Sequence, residues 1–103
     1  MALPPRDHRV SLADAAALTK RHREGLPPGA VKAGAFHADQ VRELLAQPGC
    51  VALRIYYGKS GKGENAIVLV GLDANDKELT GGTLLDTIFP CPPFCTDDSP
   101  LNS

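Results

Sequence analysis

The spacing of apolar positions changes near residue 50, from helical ahead of it to alternating behind it. In "CVALRIYYG", Val51, Leu53, Ile55 and Tyr57 fall on one parity and Cys50, Ala52, Arg54 and Tyr56 on the other, the period of a strand. "AIVLVGLD" is apolar on both parities, as expected of a strand with neighbours on either side. The glycine-rich "KSGKGEN" between them makes the pair a hairpin.

Two helices are predicted ahead of this hairpin. Ser11 is a cap with Asp14 at capping-box spacing, Ala15 to Ala17 propagate the helix, and it stops near Gly25, before Pro27 and Pro28. Leu12, Ala15, Ala16 and Thr19 form a narrow stripe of mostly small residues with Leu18 beside it, while Lys20, Arg21 and Arg23 load the last turn, where the helix dipole favours cations. So thin a stripe anchors weakly, and the helix reads as an arm that packs on another subunit. The second helix has the stronger pattern: Val41, Leu44 and Leu45 make its buried face, Phe36 can staple onto Val41 around a cap at His37, and Pro48 and Gly49 end it.

The remaining segments are less regular. "LPPGAVKAG" (26–34) is an extended linker, "DANDKE" a turn and "ELT" a short third strand; "TLLDTIF" can be helical or extended, with Leu84, Leu85, Ile88 and Phe89 spaced for a helical face. The predicted fold is α+β: two N-terminal helices, a small antiparallel meander with helices on one side, and an irregular Pro/Cys-rich tail. The chain divides into an arm and linker (1–33), a core (34–89) and a tail (90–103).

At 103 residues the chain is one domain, small enough to bury only about 60–65% of the surface its unfolded form exposes. Hydrophobic content of 43% with 22% charged residues excludes disorder. No apolar run approaches a membrane span and the start has no signal-peptide core, so the expected location is cytoplasmic by default, or extracellular through a leaderless export route. The net charge of −1 conceals an asymmetry. Residues 1–62 carry ten Lys and Arg against five acids, net +5, and residues 63–103 carry Lys77 against seven acids, net −6. Either the two halves pack on each other, or copies attract head to tail.

Candidate chemistry centres on the cysteines. In "PCPPFC", Cys91 and Cys95 are spaced to close a small disulfide ring. Three intervening residues and no helix start argue against a thioredoxin-type site. Cys50, Cys91 and Cys95 with one of His8, His22 or His37 would make a zinc set, though without the two tight pairs usual in structural sites. Otherwise Cys50 is a small buried hydrophobe and the pair is a local disulfide or two thiols. Around Gly61 and Lys62 the phosphate-loop motif needs a preceding glycine and a following Ser or Thr, but Tyr56 and Gly63 stand there. "KRHR" (20–23) is a basic helix end on a chain of pI ≈ 6.3 with no aromatic RNA platform, which favours a solvated terminus or an acidic protein partner over nucleic acid. No nucleophile, histidine and carboxylate are arranged in a catalytic motif.

"FHADQVRELLAQPGCVALRIYYG", "IVLVGLD" and "PCPPFC" together resemble a group of small uncharacterised bacterial proteins. That group shares a helix ending in Gln-Pro-Gly-Cys, a Tyr-Tyr-Gly hairpin and a C-terminal Cys-Pro-Pro-aromatic-Cys. The similarity covers about residues 36–95 and places Cys50, Cys91 and Cys95 on the group's cysteine positions. It implies that the three act together and carries no established activity.

The expectation is therefore a non-enzymatic structural protein without cofactor that self-associates, as a subunit of a filament or other ordered assembly. Leu12, Ala15, Ala16, Val31, Tyr56 and Phe94 are its contact candidates, and it has no nucleic-acid partner. The alternative is a small binding module built on the "CPPFC" tail, with or without a structural metal.

Overall fold

In a computed structural model describing residues 2–102, helices α1 (Leu12–Glu24) and α2 (Ala38–Leu45) are combined with five strands. These are β1 (Ala33–Ala35), β2 (Ala52–Lys59), β3 (Asn65–Leu72), β4 (Leu84–Leu85) and β5 (Phe89–Cys91). β2, β3 and β4 form an antiparallel sheet in that order, with Ile55 opposite Leu69 and Leu69 opposite Leu85. β1 and β5 form a separate two-stranded sheet. The mixed class and the central place of the doubly apolar "AIVLVGLD" strand agree with the sequence pattern.

Local signals explain the helices and turns. Ser11 Oγ accepts the Asp14 N–H at 3.1 Å and opens α1, which ends at Gly25. His37 caps α2 by position, but its side chain makes no capping hydrogen bond; its ring meets the edge of Phe89 at 5.2 Å. After β3, Asp73 Oδ1 accepts from the N–H groups of Asn75 and Lys77 at 2.8 and 2.9 Å, fixing the predicted turn.

The core is small. Leu44 of α2, 0% exposed, sits on Leu69 and Leu85, with Phe36, Val41, Cys50, Leu53 and Ile67 around them. Gln47, one turn after Leu44, donates through Nε2 to the Leu44 carbonyl and accepts the Thr83 N–H on Oε1, tying the helix end to the segment that enters β4.

Several expectations need correction. The two helices do not both precede the strands, because β1 lies between them at the end of the expected linker. Its pairing with β5 depends on Gly34, where a Cβ would stand 2.6–3.0 Å from three atoms of Ile88. Of the two alternatives for "TLLDTIF", the helical one is not adopted: Leu84–Leu85 and Phe89 are strand, and Thr87 between them takes a positive φ of 56°; a segment flanked by glycines and Pro90 is too short to nucleate a helix. "ELT" contributes a single bridge, Leu72 to Glu78, and the third strand is β4. The tail is not irregular from its start: β5 carries Pro90 and Cys91 into the small sheet. Both expected segment boundaries thus fall inside β1 and β5.

The chain is open for its size. Its accessible surface is 7755 Å², whereas a compact monomer of its mass exposes about 5,600 Å². Its Cα radius of gyration is 15.4 Å, against about 13 Å for a compact domain of this length.

Candidate self-association surface

Three exposed regions stand out. Residues 2–11, before α1, are exposed. α1 buries no residue within its own chain: Ala15, Ala16, Ala17 and Thr19 are half-buried, while Leu12 and Leu18 stand in solvent. The third region is the far end of β2. Leu53 packs against the core, but Ile55 and Tyr57 on the same face are 50% and 90% exposed, because α2 packs over β3 and β4 and not along β2.

α1 is tethered to the tail. Arg23 Nη1 donates to the Leu101 carbonyl at 2.6 Å, and between helix, β1 and tail runs a groove of about 490 Å³. Leu18, His22, Lys32, Phe94 and Cys95 are among its walls. Phe94 packs edge-on to Phe89 at 5.2 Å, so His37, Phe89 and Phe94 form one aromatic row from α2 to the tail.

The cysteines separate. Cys91 and Cys95 form a disulfide with Cα atoms 4.8 Å apart. Cys50 is a free thiol that donates to the Ala52 carbonyl at 3.3 Å. It lies against Gly71, where a Cβ would come within 3.0 Å of its sulfur. Among the described residues no group of three or more His, Cys, Asp or Glu is placed to hold a metal. The zinc set proposed from sequence is therefore not assembled.

Of the other residues singled out, Val31 accepts the Asn65 side-chain amide on its carbonyl at 3.2 Å and borders a cavity of about 320 Å³ with Tyr57, Ile67 and Ile88. Tyr56 enters a network that the sequence did not announce. Its hydroxyl donates to Glu78 Oε2, which also accepts from Arg54 Nη1 at 3.1 Å, while Arg54 Nη2 donates to Asp76 at 2.8 Å. The Leu72–Glu78 bridge brings these groups together. Here an ion pair joins the basic and acidic halves of the chain, the packing of halves that the charge asymmetry allowed.

The Tyr56 hydroxyl and then the Arg54 guanidinium hold the Glu78 carboxyl below its usual range. A depressed folded-state value means that the network stabilises the fold above the unfolded glutamate value, about pH 4.3, and that this contribution fades as pH falls through the lower folded value. Thermal melting between about pH 3 and 7 should show wild type more stable than Glu78→Gln near neutrality, the two converging in acid. A constant gap across that range would remove the ionised Glu78 from the explanation.

Comparison with protein-family models, curated proteins and solved structures found no match to this chain. No helix among the described residues is long and apolar enough to cross a membrane.

Proposed function

We propose that this chain is a non-enzymatic structural protein that associates with copies of itself, as a subunit of a filament or other ordered assembly. The observation that carries this reading is the surplus of exposed surface, 7755 Å² where about 5,600 Å² is expected. A specific interface takes about 800 Å² from each partner, less than the surplus. Exposed apolar side chains, among them Leu12 and Leu18 of α1 and Ile55 and Tyr57 of β2, are available to such a contact, where burial returns about 25 cal/mol per Å².

The test is sizing of the full chain by light scattering over a range of protein and salt concentrations. The expected result is a particle well above the 10.9 kDa of one chain, weakened in part by salt through the unequal charge of the two halves. A 10.9 kDa particle at the highest concentration would overturn the reading.

A second reading, a small binding module using the "CPPFC" tail, is favoured by the groove of about 490 Å³ that Phe94 and Cys95 help to line, a volume within the range of small-molecule sites. It does not account for the exposed faces of α1 and β2.

A further inference from the structure

We propose that the free edge of β2 is a two-fold contact with β2 of a second copy, joining two three-stranded sheets into one of six strands. This rests on the self-association reading and names the surface through which it begins.

β2 is eight residues long and pairs with a strand on one side only. Exposed edges in single-chain proteins are blunted by proline, by inward-pointing lysine, by a bulge or by brevity. From Ala52 to Gly58 this strand has no proline and no lysine, and its one cation, Arg54, is drawn aside by Asp76 and Glu78. The unpaired edge is instead accompanied by exposed Val51, Ile55 and Tyr57, all of one parity.

Symmetry then restricts the register. Two antiparallel strands related by a two-fold axis present the same sheet face on the same side, so opposed residues must share parity. Centring the pair on Ile55 sets Ile55 opposite Ile55 of the second copy, Leu53 opposite Tyr57, Arg54 opposite Tyr56 and Ala52 opposite Gly58. Ile55 and Tyr57, left exposed within the strand, each gain an apolar partner. Each guanidinium meets a tyrosine whose hydroxyl already rests on Glu78, so cation faces ring and acid across the seam. The register one step towards the N-terminus places Arg54 on Arg54, two like charges directly opposed. The register one step the other way sets Leu53 against Lys59 and leaves Ala52 unpaired. The Ile55-centred register pairs Ala52 through Gly58 with neither a like-charge contact nor a lysine set against Leu53.

The contact is tested on the full chain by cross-linking at its centre. In a Cys50→Ser background, Ile55→Cys should oxidise to a species of twice the 10.9 kDa chain mass on a non-reducing gel. Val51→Cys, which faces Lys59 rather than itself, should do so far less. In sizing, Ile55→Lys and the fully solvent-facing Tyr57→Lys should each raise the concentration needed for association about tenfold or more. If the parent chain associates but Ile55→Cys cross-links no better than Val51→Cys, the β2 contact is overturned and self-association stands. If the parent chain is a single copy at every concentration, both fall together.

Discussion

Replacing Leu44 with alanine is expected to lower stability by about 2–5 kcal/mol, the range for removing a fully buried leucine and leaving its cavity. Leu44 is completely enclosed and joins α2 to Leu69 on the central strand and Leu85 on its neighbour. Few other side chains are buried, so little remains that can collapse into the space. Domains of this kind are stable by only about 5–15 kcal/mol, and the loss is therefore a large share of the total. Urea unfolding followed by circular dichroism should show the midpoint falling with little change in slope. Leu45, expected on the buried face but 44% exposed because it lies about 100° round the helix from Leu44, should tolerate alanine within about 1 kcal/mol. Equal effects at the two positions would mean that α2 does not present the face described.

The second large effect is on association. Leu12→Glu together with Leu18→Glu places two charges on a helix with no fully buried residue in its own chain. Each leucine buried against a neighbour is worth about 1.5–3 kcal/mol, so the pair should weaken assembly by at least about a hundredfold. The melting temperature of the dissociated chain, measured at low concentration, should stay nearly constant, since exposed substitutions change stability by about 0.5 kcal/mol or less. Light scattering at high concentration and thermal melting at low concentration check the two parts separately. Unchanged particle size would remove α1 from the assembly surface. Substitution is preferable to truncation through residue 33, because the Lys32 N–H donates to the Cys91 carbonyl at 2.8 Å and Ala33 pairs with Cys91; such a cut would strip a strand from the tail as well as the helix.

The parts legible in the sequence were those whose signal is local. Ser11 and Asp14 mark a helix start within four residues, and the parity of Leu53, Ile55 and Tyr57 against a doubly apolar partner marks the hairpin. β1 and β5 were hidden because "AGA" and "FPC" carry no strand pattern of their own; they pair because Gly34 leaves room for Ile88, more than fifty residues later. The Tyr56–Glu78–Arg54 network was hidden for the same reason, since only the Leu72–Glu78 bridge brings the acid to the strand. Cys50 was grouped with Cys91 and Cys95 because spacing cannot show which thiols meet. The structure sets Cys50 against Gly71 and closes the other two on each other.

β4 consists of just two residues, Leu84 and Leu85. A doubled sheet would therefore finish at each rim with a stub too brief to template another strand, and lateral growth would stop after one round of pairing. On the proposed contact, the sheets would be finite crossbars in place of the endless ladder of amyloid.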